Sequence, residues 1–107
     1  MDYQKTLIRW NIWNIKDKEL LNLIVGRKGG KTTIKIIDKI LEKPKNKNQI
    51  ANELGLDYKT ICYHINIMTE HDYLLEEKCN KRYYYHPSDK LFKSLDEYNI
   101  IKEYVTK

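Results

Sequence analysis

Few groups in this 107-residue chain are of a type to do covalent or metal chemistry: two cysteines, three histidines and one glycine-rich basic run. Cys62 and His64 form the closest thiol–imidazole pair. Two positions apart on a helix, they project about 200° apart and cannot readily hold one ion, whereas spacings of three or four would allow it. A half-buried thiol and a half-buried imidazole are expected. Cys62 and Cys79 are too few and too far apart for a disulfide scaffold or a four-cysteine zinc site, so both should be free. His64, His71 and His86 fall on different expected elements, and no Ser or Cys nucleophile stands in a recognisable setting, so neither a catalytic centre nor a cofactor is expected. The run Gly26-Arg27-Lys28-Gly29-Gly30-Lys31-Thr32 precedes a helix as a phosphate-binding P-loop does. That motif needs four residues between its first glycine and Gly-Lys-Thr, and here there are three; Val25 occupies the position that would have to be glycine. The run therefore reads as a flexible basic connector able to touch phosphate.

Side chains suited to reading a polyanion are placed more tellingly. If Ile61, Ile65 and Met68 face inward on a helix from Tyr58 to about Glu70, a turn of about 100° per residue puts Lys59, Tyr63 and Asn66 on the opposite side. Thr60 lies beside them and Tyr58 at the tip. Lysine meets guanine acceptors or phosphates, asparagine pairs with adenine, and Thr or Tyr bonds phosphate or packs on a thymine methyl. Lys78, Lys81 and Arg82 cluster at a hairpin turn, with Tyr83, Tyr84 and Tyr85 alternating between faces behind it. A basic tip of this kind fits a DNA backbone or minor groove.

The elements that must position these groups follow from periodicity and punctuation. Ile34, Ile37, Ile40 and Leu41 share one face of a helix over 31–43, with Thr32 or Thr33 as cap and Pro44 as stop. Asn48, taken as an N-cap, opens a two-turn helix carrying Ile50, Ala51 and Leu54. Gly55 ends it in a left-handed conformation, Leu56 plugs the core and Asp57 caps the helix of 58–70. Two runs rich in β-formers, 73–77 and 82–86, joined by 78–81, make a hairpin that Pro87 ends. Ser88 caps a final helix with Leu91, Leu95, Tyr98, Ile101 and Val105 in one stripe and Ile100 and Tyr104 nearly opposite.

The chain holds 41% apolar residues and nine tyrosines, enough for one folded domain. Twenty Lys and Arg against fifteen Asp and Glu give a charge of +5. The resulting pI near 9.1 favours polyanionic partners. The longest apolar run, Leu20 to Val25, is broken by Asn22 and falls far short of the ~20 residues that span a bilayer, and the first residues lack a secretory pattern. A cytoplasmic location with no membrane contact is expected. Carboxylates such as Glu76-Glu77 and Asp96-Glu97 read as solubilising.

The stretch Asn48-Gln49-Ile50-Ala51-Asn52-Glu53-Leu54-Gly55-Leu56-Asp57-Tyr58-Lys59-Thr60-Ile61-Cys62-Tyr63-His64-Ile65, with the hairpin after it, resembles ArsR-like winged helix-turn-helix regulators, particularly of archaeal type. The likeness covers about 31–86. It implies a dimer that binds an operator, the helix of 58–70 in the major groove and the hairpin as wing. The cysteine pair of metal-sensing members is absent, and no metal is expected. The expected architecture is α+β and mainly helical: an N-terminal arm and basic connector (1–30), a winged helix domain of three helices plus a β-hairpin (31–87), and a C-terminal dimerisation helix (88–107). Tyr3, Leu7, Ile8, Trp10, Ile12, Trp13 and Ile15 make the arm too apolar for a free tail and place it at the same dimer interface. The expected function is sequence-specific double-stranded DNA binding as a transcriptional regulator, with repression as its direction. The candidate DNA-binding residues are Asn48, Tyr58, Lys59, Thr60, Tyr63, Asn66, Lys78, Lys81 and Arg82, the wing contacts coming from 78–82. Two alternatives stay open at this point: a winged helix serving as a protein-interaction module, and a sequence-indifferent, chromatin-like DNA binder.

Overall fold

The computed structural model describes residues 11–106; Tyr3, Leu7, Ile8 and Trp10 of the arm lie outside the described residues. After a helical turn at 11–13, the order is α1 (Lys18–Val25), α2 (Gly30–Glu42), α3 (Lys47–Leu54), α4 (Tyr58–Glu70), β1 (Leu74–Cys79), β2 (Arg82–Pro87), α5 (Asp89–Lys93) and α6 (Leu95–Thr106). Helix α2 is the hub, packing on α1, α3, α4, β2 and α6. Its isoleucines at 34, 36, 37 and 40 are all buried, because a run of branched residues at helical spacing buries a wide stripe and leaves Lys31, Lys35 and Glu42 as the exposed positions. Ile61, Ile65 and Met68 of α4 meet them, as the stripe on that helix requires. Leu20, Leu23 and Ile24 of α1, Ile15 before it, and Leu91, Tyr98 and Ile101 after the hairpin complete the same core. Three central helices followed by an antiparallel hairpin make this a winged helix-turn-helix.

Several local expectations are corrected. Neither Thr32 nor Thr33 caps α2: the N-cap is Gly29, whose left-handed φ of 84° turns the chain by itself, and Thr33 lies inside the first turn with its hydroxyl 3.3 Å from the Gly29 carbonyl. The N-cap of α3 is Asn46, not Asn48. The Asn46 carboxamide accepts the Gln49 N–H at 2.8 Å while the Gln49 side chain accepts the Asn46 N–H at 2.8 Å, a reciprocal capping box that outcompetes a single cap two residues later. Asp57 stands at the α4 N-cap without a side-chain bond. The hairpin turn is only Asn80-Lys81, at φ 49° and 68°, because Lys78 and Cys79 still pair with Tyr83 and Arg82. The last helix is two, α5 and α6, broken at Ser94, whose hydroxyl donates to Asp17 at 2.6 Å.

That bond belongs to a polar lock between the start and end of the described chain. Glu97 is not a solubilising carboxylate: it accepts the Lys16 and Asp17 N–H groups at 2.7 and 2.9 Å. Asp17 caps α1 and receives the buried Tyr73 hydroxyl at 2.7 Å. Hydrogen bonds from Lys90 and His71 hold the Glu19 carboxyl down to about 2. Buried hydroxyls of this kind need partners, and the carboxylates supply them.

Candidate nucleic-acid interface

The site is built outward from the turn between α3 and α4. Gly55, left-handed at φ 65°, closes α3 through bonds to the Ala51 and Asn52 carbonyls, and the chain re-enters a helix three residues later. With Ile61, Ile65 and Met68 buried against α2, the opposite face of α4 is open: Tyr58 is 47% exposed, Tyr63 58%, and Lys59 and Asn66 are exposed. Thr60 is half-buried at the edge. Cys62 stands one turn further along the helix from Tyr58, and its proximity raises the Tyr58 pKa. The Asn66 carboxamide oxygen accepts from Lys47 Nζ at 3.1 Å, leaving its amide hydrogens outward. Lys47 opens α3 and also lies over the Tyr85 ring at 5.5 Å.

A groove of about 590 Å³ runs between the first turn of α3 and the wing, with Asn48, Lys47, Tyr58, Lys81 and Arg82 on its walls. Asn48 contributes as a groove residue, exposed in the first turn of α3. The wing is anchored at its base, because Tyr85 pairs with Lys45 through two backbone bonds of 2.9 and 3.3 Å. Lys45, although a lysine, is only 3% exposed. Its ammonium lies 3.2 Å from Glu53, whose carboxyl it holds below the ordinary range. The Tyr85 hydroxyl donates to Glu76 at 2.7 Å, and burial followed by that carboxylate pushes its pKa up. Glu76 is thus occupied by the wing rather than merely solvated. Lys78 is exposed, 5.8 Å from the Tyr83 ring, on the strand opposite it. Lys81 and Arg82 are exposed at the tip. Lys81 sits in a left-handed conformation that costs a residue with a Cβ about 1–2 kcal/mol relative to glycine. The structure therefore brings Asn48, Tyr58, Lys81 and Arg82 to one groove and lays Lys59, Tyr63 and Asn66 along the adjoining helix face.

Two features escaped the sequence reading. One is Lys47, which links α3, Asn66 and the wing. The other is the connector 26–29, which is docked on α4. His64, expected half-buried, is 5% exposed because Gly29 lies against its imidazole. Arg27 approaches His64 Nδ1 at 3.3 Å and Thr33 Oγ1 does so at 3.1 Å. A guanidinium only donates, so Nδ1 accepts and the proton of the neutral ring is on Nε2. Burial, then the Arg27 charge, pushes the His64 pKa below its ordinary 6.5. A folded-state pKa below the unfolded value means the unfolded chain takes up more protons as pH falls, so the stability contributed by neutral His64 is complete above about 6.5 and drains away below it. Thermal melting followed from about pH 7.5 to 5.5 should show a shallower loss of Tm in His64→Gln than in the unaltered protein. Equal slopes would contradict a neutral, buried His64. No cluster of His, Cys, Asp or Glu suited to a metal ion occurs among the described residues, and Cys62 and Cys79 are free thiols, half-buried and exposed.

No protein-family model and no curated protein matches the sequence. The fold does have solved counterparts. The homodimeric winged helix-turn-helix DNA-binding domain (fragment 1–100) of Mb0332 from Mycobacterium bovis, a possible ArsR-family transcriptional regulator, superposes with a TM-score of 0.64 at 10% identity, over 96% of this chain and 88% of that one. NolR from Sinorhizobium fredii does so with a TM-score of 0.56 at 15% identity, over 92% and 88%. At such identities the likeness is one of fold, and this chain has the winged helix-turn-helix architecture along nearly its whole length.

Proposed function

We propose that this chain is a sequence-specific, double-stranded-DNA-binding transcriptional regulator of ArsR-like build, a repressor in direction, that works as a homodimer and carries out no catalytic step. The observation that carries the reading is the open face of α4 set beside a wing-side groove walled by Lys47, Lys81 and Arg82. A helix offering Lys59, Tyr63 and Asn66 fits the base edges of a major groove, while a basic groove and hairpin tip fit the adjoining backbone. A lysine at the left-handed position 81, where glycine would be more stable, fits a use for its charge there. Dimerisation is supported by apolar side chains left open on the terminal elements: Trp13 is 81% exposed, Phe92 54% and Tyr104 39%. The N-terminal arm and the C-terminal helices would form the interface, and a two-fold dimer would space two copies of α4 for a palindrome. Among the described residues no helix is long and apolar enough to cross a membrane.

The test is selection of bound sequences from a random duplex pool with purified protein at near-physiological salt. A palindrome with half-sites about one helical turn apart is expected. Binding without enrichment would favour an architectural role, and no binding would overturn the proposal in favour of a protein-interaction domain.

A further inference from the structure

Around α4 the two flanks of the open face are distinct. From Tyr63, the turn of about 100° per residue carries Cys62 and Asn66 to one side and Thr60 and His64 to the other. Lys47 and Tyr85, with the wing behind them, lie on the Asn66 side. The connector lies on the His64 side, and Arg27 is fixed there: its guanidinium carbon is 5.4 Å from the Tyr63 ring centroid, Nη2 donates to His64 Nδ1 at 3.3 Å and Nη1 donates to the Leu23 carbonyl at 3.3 Å. All three partners are neutral. Arg27 takes part in none of the ion pairs among the described residues. Two of five guanidinium N–H donors are used, so a planar, charged fork with donors to spare stands at the edge of the exposed Tyr63.

We propose that Arg27 is a second phosphate-contacting residue of the DNA interface, reaching the sugar–phosphate strand that borders the major groove on the side away from the wing, with Tyr63 and His64 as its positioning residues. This rests on the reading of α4 as the DNA-facing helix. A helix lying in a major groove has a phosphate strand on each side, and a wing serves only one of them. A guanidinium matches a phosphate bidentately, and one already held in place loses less freedom on binding than a free surface lysine. Lys28 and Lys31, exposed on the same connector and first helical turn, add charge of the same sign. Tyr63 then serves twice, with its outer part toward the bases and its face under the arginine.

The experiment compares the unaltered protein, Arg27→Gln and Arg27→Lys on a duplex recovered from the selection, across a salt series. If the unaltered protein binds no duplex, the functional reading itself fails. If it binds, Arg27→Gln is expected to lose about tenfold in affinity for matched and unrelated duplexes alike, and to flatten the plot of log K against log salt by about 0.9 per protomer. Arg27→Lys should recover the slope but not the full affinity, because it restores charge without the fork. An unchanged slope in a folded Arg27→Gln overturns the proposal. Phosphate-ethylation interference on the unaltered protein decides independently of how that variant folds. Interference is expected on both backbones flanking each half-site, with only one set weakened in Lys81→Ala/Arg82→Ala; interference confined to the wing-side set would overturn it.

Discussion

Lys59→Ala combined with Tyr63→Ala is expected to abolish most of the sequence preference while leaving residual, salt-sensitive binding to any duplex. Both side chains leave the face of α4 that the core does not use, so their loss removes contacts to base edges without opening a cavity. A good base contact discriminates by about 1–3 kcal/mol against the wrong base, and two such contacts in each half-site account for a large share of what separates a specific from a non-specific site. The backbone contacts of the wing remain, which is why binding itself should survive. Tyr63 also lies under Arg27, so part of the affinity loss should be uniform across sequences; Tyr63→Phe, which keeps the ring, separates that part from the reading of bases. The measurement is the same random-pool selection, run on the double variant. Enrichment of the original palindrome at its original strength would remove α4 as the reader.

How the face of α4 came to be legible in the sequence, and the flank beside it did not, has a physical reason. Helical periodicity is local. Once Ile61, Ile65 and Met68 are taken as inward, the positions of Lys59, Tyr63 and Asn66 follow from rotation alone, and the exposure of those three core residues, 1% or less, agrees. The same logic put His64 at the margin of the stripe, which is correct for the isolated helix. Its near-complete burial comes from Gly29, thirty-five positions earlier in the chain, and no window of sequence contains both. In sequence Arg27 therefore reads with its neighbours as a flexible basic run, although its partners fix it. Glu97 likewise reads locally as a solvated carboxylate, because the N–H groups it caps are eighty positions away or more.

At the start of α3 the signal is local, and a competing one stands beside it. Asn46 and Gln49 have the spacing of a capping box, and a reading that weighed two reciprocal bonds against one would have started α3 two residues sooner. Ser94 gave no comparable warning that the last helix would break. Its interruption is set by Asp17, to which the Ser94 hydroxyl is tied across the molecule.

Gly30→Ala should be among the most destabilising single substitutions outside the core, and its sign is diagnostic. Replacing glycine by alanine within a helix ordinarily stabilises it by about 1 kcal/mol, because alanine has less backbone freedom to lose. At Gly30 a Cβ would stand 2.2 Å from the carbonyl oxygen of Ile24 and 3.2 Å from its carbon. These are backbone atoms near the end of α1, so no side-chain rotation relieves the contact. The connector between α1 and α2 is only residues 26–29, and relief therefore requires α1 to move. That would loosen Leu20, Leu23 and Ile24, all of which lie in the core. Overpacking typically costs 1–3 kcal/mol, and a clash with backbone belongs at or above the upper end, about 3 kcal/mol. At roughly 4–8 °C per kcal/mol for a domain of this size, the melting temperature should fall by roughly 12 °C or more. Gly55→Ala supplies the contrast: its φ of 65° disfavours a side chain, but nothing lies within 4 Å of the added carbon, so only about 1–2 kcal/mol is expected. Thermal melts of the two variants should therefore rank Gly30→Ala below Gly55→Ala. The reverse order, or a Gly30→Ala that melts no lower than the unaltered protein, would mean that α1 yields freely, and the close crossing that holds Arg27 beside α4 would lose its mechanical basis.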